Sequence, residues 1–242
     1  MAVKPHHAVL VLVACVIACL CGCSGSGGFR SLPALVEVGV QSRGDTHQFH
    51  RGQGVIVGRR ILTAAHTFLR EGDQFPEERV ILNGRSVPSS VAMHGDSGVV
   101  RSLYTAPQAP FADLLQDWVG FELPFTPQVG GGSWDLRVRS VQGGEKLFAL
   151  RWNEAEGVVE DAPLEVLEGT ADEPLPDRLV FVANTTNRPL AGWSGCFVGS
   201  YASTTHRWEF VGILLAGKEF SSERYHVVLR PSAETLRWLM SE

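Results

Sequence analysis

Cysteine is nearly absent from the body of this 242-residue chain. Four of the five cysteines lie within the first 23 residues, and only Cys196 lies beyond them. A single thiol cannot form an internal disulfide bond, so we expect an apolar core to stabilise the fold. The composition suits such a core, because 44% of the residues are hydrophobic and 19% are charged.

Excess positive charge is also lacking. The formal net charge is -5, and the lysines and arginines form no stripe, which excludes nucleic acid as a partner. Metal-ligand clusters are lacking too: His47 and His50 lie three residues apart without further ligands nearby, and we predict that they face solvent. We therefore expect neither a metal nor another cofactor.

Only one long apolar run is present, at residues 8–21, with Lys4 ahead of it. The run is too short to span a bilayer comfortably, and it has the length of a signal-peptide core. It leads into Leu20-Cys21-Gly22-Cys23, which resembles the lipobox of bacterial lipoproteins. An ordinary signal peptide cut nearby, or a cysteine-rich membrane anchor, is the alternative interpretation.

The lipobox resemblance implies a protein that is lipid-anchored in the bacterial cell envelope. Residues 1–22 would be removed as a signal peptide, and Cys23 would be acylated. Residues 23–34 would form the lipidated N-terminus and a flexible tether. Ser24 after the cysteine implies the outer membrane, on its periplasmic side.

Turn-forming residues are abundant, with 26 glycines and 13 prolines, which is typical of a chain with many short strands. A stretch rich in proline, glycine and serine at 126–135 is predicted to link two halves. The predicted strands are 35–40, 54–57, 61–65, 80–82, 85–91, 118–123, 136–141, 147–152, 157–160, 164–167, 179–183, 196–198, 210–217 and 225–229. A terminal helix is predicted over 232–241, with Ser232 as its cap.

His66 ends an apolar, β-branched run that begins at Ile61. The preceding run, Gly54–Val57, would pair with it through a Gly-Arg-Arg turn and so place His66 at the end of a rigid hairpin. A catalytic base needs such a rigid support, because proton transfer requires a fixed hydrogen-bond distance. A histidine that merely packs at a strand end is the alternative.

Two further side chains complete a possible catalytic set. Asp117 stands directly ahead of an alternating apolar strand, and Ser194 is a glycine-flanked serine ahead of another. A serine hydroxyl needs an imidazole to take its proton, and the imidazole needs a carboxylate to fix its tautomer. Asp113 and Asp96 are the alternatives for the carboxylate.

The order His66, Asp117, Ser194 resembles that of the trypsin/chymotrypsin-like serine peptidases. The segments that carry the resemblance are Leu62–His66, Asp117–Leu123, Gly192–Gly195 and Val211–Ile213. The resemblance covers residues 35–242 and implies an all-β fold of two six-stranded antiparallel β-barrels with a C-terminal α-helix. The barrels would span about 35–125 and about 136–230.

The resemblance also implies a serine endopeptidase that acts on peptide or protein substrates. Ser194 would be the nucleophile, and the amides of Gly192 and Ser194 would bind the oxyanion of the tetrahedral intermediate. Ser97, within Gly95-Asp96-Ser97-Gly98, also looks like such a nucleophile. We interpret it as a hairpin turn instead, because no second set of strands precedes it.

Several residues depart from the family pattern. Trp193 stands where trypsin-like enzymes have an aspartate that pairs with the amine released on activation, so we hypothesise that no N-terminal insertion switch operates. Leu215 replaces a serine that hydrogen-bonds the triad aspartate, which favours the alternative of an inactive relative that binds peptides or proteins. Arg188 falls near the base of the specificity pocket, with a surface arginine as the alternative. Cys196 is interpreted as a small buried hydrophobe.

A third hypothesis is a β-sandwich lipoprotein in which these motifs are coincidental. In that case His66 and Ser194 would lie far apart.

Overall fold

Two seven-stranded sheets make up most of the computed structural model of this chain. The described residues are 32–41, 49–67, 79–82, 85–86, 92–94, 112–115, 117–123, 132, 134–153, 155–168, 177–186, 188–220 and 223–241. They belong to one compact unit, Ser31–Glu242. The predicted signal peptide and the predicted acylation site Cys23 lie outside the described residues, as do His47, Asp96 and Ser97. No described helix is long and apolar enough to cross a membrane.

The first sheet is antiparallel and is built from the first half of the chain. Its strands are β1 (Leu35–Gln41), β2 (Phe49–Val57), β3 (Arg60–Thr63), β4 (Arg79–Leu82), β5 (Arg85–Ser86), β6 (Ala92–His94) and β7 (Val119–Glu122). They lie in the order β5-β4-β1-β2-β3-β7-β6. Among the described residues no pairing joins the edge strands β5 and β6, so the first six-stranded barrel stays a prediction.

The second sheet closes on itself. Its strands are β8 (Trp134–Leu136), β9 (Lys146–Asn153), β10 (Val158–Val166), β11 (Leu179–Asn184), β12 (Phe197–Ala202), β13 (Arg207–Phe220) and β14 (Glu223–Leu229). The order β12-β9-β10-β11-β14-β13 returns to β12 through an added β12–β13 pairing. This confirms a six-stranded antiparallel barrel in the second half. Closure leaves these six strands without a free edge.

Alternation along the barrel strands divides the apolar side chains between two cores. On β14, Val228 packs with the residues inside the barrel, whereas Val227 and Leu229 pack in the other cluster, which also contains Leu62 and Ala64 of the first half. Successive side chains of a strand point to opposite faces, so one strand serves both cores. The outer core therefore joins the barrel to the strand that leads to His66.

The link between the halves is shorter than predicted. Trp134 and Asp135 belong to β8, which pairs in parallel with β13, and the predicted strand at 136–141 ends early, with Val138 93% exposed. Trp134 packs against Phe197 and Phe210, with ring centroids 6.1 and 4.8 Å apart. Burial of this aromatic side chain outweighs the turn-forming composition around it.

The terminal helix, α2 (Ala233–Met240), docks on the first sheet; a shorter helix, α1 (Ala112–Leu115), precedes β7. Ser232 caps α2, as predicted, by accepting a hydrogen bond from the Thr235 amide. At the other end, the Arg60 guanidinium donates to the carbonyl groups of Trp238 and Ser241. These are carbonyls that a helix end leaves without internal partners.

Candidate active site

His66 and Asp117 form a direct, two-point contact. The Nδ1 atom of His66 lies 2.6 Å from Oδ2 of Asp117, and the backbone amide of His66 donates to Oδ1 at 2.8 Å. A carboxylate only accepts, so Nδ1 carries the proton, and the other ring nitrogen of the neutral imidazole is an acceptor. This tautomer is the one that a general base requires.

Strand register explains why the two residues meet. Thr63, the last residue of β3, is opposite Val119, the first residue of β7. His66 follows β3 in a 3-10 turn, Ala65–Thr67, and Asp117 precedes β7, with its amide bonded to the Leu114 carbonyl of α1 at 3.3 Å. Two antiparallel neighbours therefore bring both side chains to the same end of the sheet.

The environment of the pair favours a basic imidazole at His66. Asp117 is fully buried, and the side chain of His66 is 16% exposed. Burial of the imidazole works to lower its pKa, but the charge and hydrogen bond of Asp117 outweigh burial, so the pKa of His66 is raised above 6.5. Burying the carboxylate strengthens this interaction, because little water screens it.

The Ser194 loop packs against the strands that lead to His66. The carbonyl of Ser194 accepts a hydrogen bond of 2.7 Å from the amide of Gln53, on β2. A Cβ placed on Gly52 would lie 2.9 Å from this carbonyl and 2.7 Å from Oγ1 of Thr67. One face of Gly52 is thus shared by the Ser194 backbone and by the residue after His66.

Gly195 makes this close approach possible. It has φ of 84°, and a Cβ at this position would overlap the Gln53 carbonyl and the Thr63 hydroxyl. Its amide donates to the Leu214 carbonyl of β13 at 2.7 Å. The Ser194–Gly195 segment is therefore held between the barrel on one side and β2 and β3 on the other.

The backbone amides of Gly192 and Ser194 are available to donate hydrogen bonds to a substrate. Gly192 has φ of 78°, is exposed, and has no atom within 4 Å of where a Cβ would stand. In the part of the chain that the structure describes, neither amide donates to a backbone carbonyl, whereas the Trp193 amide between them donates to Leu190 at 3.2 Å. Their assignment to an oxyanion hole stays a prediction.

Three residues that depart from the pattern of the trypsin-like enzymes, Trp193, Leu215 and Cys196, lie inside the core. Trp193 is 1% exposed within the barrel, and Leu215 is 1% exposed in the cluster that joins the halves. Cys196 is fully buried, and burial raises the pKa of its thiol, so it is a packed apolar residue and not a reactive one. That interpretation is confirmed.

Arg188 behaves as a surface arginine. Its side chain is 46% exposed and lies 2.7 Å from the Glu160 carboxylate. An arginine paired in this way has no free charge to offer an acidic substrate side chain. Of the two interpretations from the sequence, this favours the surface arginine over the base of a specificity pocket.

Asp113 and Asp96 are the alternatives for the carboxylate, and Asp96 lies outside the described residues. Asp113 lies in α1, and its side chain is not among those described. The described residues hold no group of three or more histidine, cysteine, aspartate or glutamate side chains that could bind a metal.

Sequence reasoning missed Gln53 and Thr63. The Thr63 hydroxyl donates to the Gln53 carbonyl at 2.6 Å, and the Gln53 side chain accepts from the Trp152 amide of the barrel at 2.8 Å. Gln53 is 3% exposed and therefore bridges the two halves behind the candidate site. Its signal was a polar residue between two glycines inside a strand, a pattern that indicates close backbone approach.

The closed barrel, the antiparallel sheet that ends in a His–Asp pair, and the terminal helix together have the fold of the trypsin/chymotrypsin-like serine proteases. Tobacco etch virus protease complexed with product aligns with a TM-score of 0.54 and 14% identity, over 99% of this chain and 87% of that one. The active form of the Rv3671c protease of M. tuberculosis aligns with a TM-score of 0.52 and 13% identity, over 99% of this chain and 93% of that one. The serine endoprotease of Yersinia pestis aligns with a TM-score of 0.50 and 17% identity, over 83% of this chain and 60% of that one. No family model matches the sequence, and no curated protein matches it either.

Proposed function

We propose that this chain is a serine endopeptidase that uses Ser194 as nucleophile, His66 as general base and Asp117 as the residue that orients the base. The observation that supports this best is the buried, two-point contact between His66 and Asp117, with Nδ1 as donor. A histidine that only packs at a strand end has no need of a buried carboxylate aligned in this way.

In the proposed reaction, the free ring nitrogen of His66 takes the proton of the Ser194 hydroxyl as Oγ attacks the scissile carbonyl. The amides of Gly192 and Ser194 stabilise the oxyanion of the tetrahedral intermediate. His66 then gives its proton to the leaving amine, and the carbon–nitrogen bond breaks. Water, deprotonated by His66, hydrolyses the acyl-enzyme and regenerates the hydroxyl.

The glycines around the nucleophile support this assignment. Gly192 and Gly195 both have positive φ, at 78° and 84°, on either side of Trp193 and Ser194. In such a turn the alternate amides of Gly192 and Ser194 would point toward one oxyanion, while the Trp193 amide between them donates to the Leu190 carbonyl. No residue from a released N-terminus is needed for this shape, because Trp193 is already packed in the barrel core. We therefore propose that activity does not depend on insertion of a new N-terminal amine.

A fluorophosphonate probe tests the function directly. We expect the wild-type chain to be labelled at Ser194, and labelling to be lost in Ser194→Ala and reduced strongly in His66→Ala. Ser97→Ala is the matched control and should be labelled like wild type. Absence of labelling between pH 6 and 9 would instead favour a binding protein with this fold.

We also propose that the protein is anchored to the envelope through an acylated Cys23. The supporting observation is the sequence alone, Leu20-Cys21-Gly22-Cys23 after an apolar run. Metabolic labelling with a palmitate analogue should mark the wild-type chain and the Cys21→Ser control. Cys23→Ser should lose both the label and membrane fractionation; labelling that survives in Cys23→Ser would refute the anchor.

A further inference from the structure

Trp193 connects the candidate oxyanion loop to the barrel wall. Its backbone lies between Gly192 and Ser194, and its carbonyl accepts from the Cys196 amide at 3.0 Å. Its side chain is 1% exposed and packs with the residues inside the barrel. A ring packed in this way restrains the backbone of residue 193, and with it the two amides on either side.

Two guanidinium groups contact this ring. The guanidinium carbon of Arg151, on β9, lies 4.7 Å from the centroid of the Trp193 ring, and that of Arg188 lies 5.6 Å from it. Both distances are within the range of a cation–π interaction, which favours a tryptophan ring most strongly. The ring is thus restrained by charge as well as by apolar packing.

Glu160 holds both arginines in place. Its Oε2 atom lies 2.6 Å from Nε of Arg151 and 2.7 Å from Arg188, and its Oε1 accepts from the Asn153 side chain at 2.9 Å. Burial works to raise the pKa of Glu160, but the hydrogen bonds from Arg188, Asn153 and Arg151 outweigh burial and lower the pKa to about 2. The carboxylate is therefore charged at any pH at which the protein would work.

Strand pairing fixes the positions of these groups. Glu160 on β10 is directly opposite Arg151 on β9, and Val158 is opposite Asn153. The loop that carries Arg188 is held by a separate hydrogen bond, in which the Asn184 side chain donates to the Arg188 carbonyl at 2.7 Å. Arg151, Asn153, Glu160 and Arg188, the Glu160 cluster, are thus mounted on the barrel and its adjoining loop.

We propose that the Glu160 cluster is a positioning device for catalysis: it holds Trp193, and through it the amides of Gly192 and Ser194, in the oxyanion-binding arrangement at all times. The cluster contacts no substrate and transfers no proton. This inference rests on the proposed peptidase function. It extends that function by naming the residues that preform the site in the absence of any processing step.

Arg188 offers the cleaner test, because it is half exposed and its loss should cost less stability than the loss of the Glu160 carboxylate, which also pairs with Arg151. Arg188→Met removes the charge from the Trp193 ring, whereas Arg188→Lys keeps a cation there. We expect Arg188→Met and Glu160→Gln to lower kcat by about 10- to 100-fold with little change in KM, since small displacements of catalytic groups have effects of this size. Arg188→Lys should recover most of kcat.

A second measurement separates positioning from general stability. Binding of a peptide aldehyde, which forms a tetrahedral oxyanion on Ser194, should weaken in parallel with kcat in Arg188→Met. The matched control is Glu145→Gln, which breaks a bidentate ion pair with the buried Arg137 in the same barrel half, at 2.5 and 2.6 Å, without contact to Trp193. That variant should lower Tm and leave kcat unchanged.

The outcomes are distinct. Folded Arg188→Met and Glu160→Gln variants with wild-type kcat and aldehyde affinity would overturn the inference and leave the proposed peptidase standing. A loss of kcat in Glu145→Gln equal to that in Glu160→Gln would overturn it as well, since general destabilisation would then suffice. A wild-type chain that fluorophosphonate does not label at Ser194 would overturn both the function and this extension of it.

Discussion

At the residue scale, the position of a single proton decides the chemistry of His66. Asp117 accepts from both the ring and the backbone of His66, so neither carboxylate oxygen needs a further donor for the imidazole to be held. The two-point contact explains how Asp117 can orient His66 although Leu215 offers it no hydroxyl. The two-point contact supplies orientation that a third hydrogen bond would otherwise add.

The pH dependence of activity should report the pKa of His66. The base must be neutral, and its pKa is raised, so kcat/KM should rise with pH through an apparent pKa above 6.5. Asp117→Asn removes the charge that raises the pKa and leaves burial, which lowers it. We expect that variant to titrate at lower pH and to lose activity by on the order of 10⁴-fold.

The control for this experiment is His226→Gln. Burial lowers the pKa of His226, so its ionisation would fall below 6.5, on the opposite side of the ordinary value. The midpoint of the activity profile should not move in His226→Gln. A midpoint that stays in place in Asp117→Asn would show that another group controls the profile.

Alanine substitutions at Gly195 and Gly157 distinguish the cost of backbone strain from the cost of steric overlap. Both have positive φ, but a Cβ at Gly195 would overlap the Gln53 carbonyl, whereas Gly157 has open space around it. Urea unfolding should show a loss of about 2–5 kcal/mol for Gly195→Ala, from strain and overlap together, and about 1–2 kcal/mol for Gly157→Ala, from strain alone. Equal losses would mean that the close approach at Gly195 is not a tight one.

At the element scale, α2 stabilises the two strands that carry the His–Asp pair. The Trp238 ring covers Gly120 of β7, where a Cβ would overlap it, and Arg60 at the start of β3 lies 5.4 Å from the same ring. His66 follows β3, and Asp117 precedes β7. The terminal helix thus supports the register on which the pair depends.

A double-mutant cycle tests this support. Trp238→Ala should cost about 2 kcal/mol, less than a fully buried tryptophan because Trp238 is only partly buried. Gly120→Ala should be destabilising in the wild type and close to neutral in Trp238→Ala, because the ring it overlaps is gone. Unfolding by urea gives the four free energies, and Met240→Ala, at the exposed end of α2, is the control. Additive effects would exclude the contact.

Elements with a strong local pattern were predictable from the sequence, and those that depend on register were not. The run that ends in His66 and the Ser232 cap carry their signals within a few residues. The contact between Glu160, Arg151 and Arg188 does not, since it requires the alignment of two strands and a loop. Strand β8 was placed too late because Trp134 is surrounded by glycine and serine, and its burial against Phe197 depends on the complete barrel.

At the scale of the whole molecule, a few polar bridges join the barrel to the first sheet at the candidate site. The backbone amide of Gln53 donates a hydrogen bond to the Ser194 carbonyl, and the side-chain oxygen of Gln53 accepts one from the backbone amide of Trp152. Apolar packing joins the same halves through Leu62, Ala64 and Leu215 in one cluster. Because the predicted nucleophile lies in one half and its predicted base in the other, stability and the proposed activity would depend on the same junction.

The acid stability of the whole protein should depend on Glu160. Its pKa is lowered from 4.5 to about 2 in the folded state, so its contribution to the free energy of unfolding is complete above 4.5 and is lost as the pH falls through about 2. Glu160→Gln should therefore be less stable than wild type at pH 6, by on the order of 1–3 kcal/mol, since one pKa unit corresponds to about 1.4 kcal/mol and solvent screens part of the interaction.

Urea unfolding from pH 6 to pH 2 measures this difference directly. The free energies of unfolding of the two proteins should converge as the pH falls from 4.5 toward 2, because protonation removes in the wild type the charge that glutamine lacks throughout. Asp161→Asn, which removes a carboxylate at the neighbouring position on β10, is the control for the loss of a charge in itself. A difference for Glu160→Gln that stays constant over this range would mean that packing, and not the charge shared with Arg151 and Arg188, accounts for the role of Glu160 in stability.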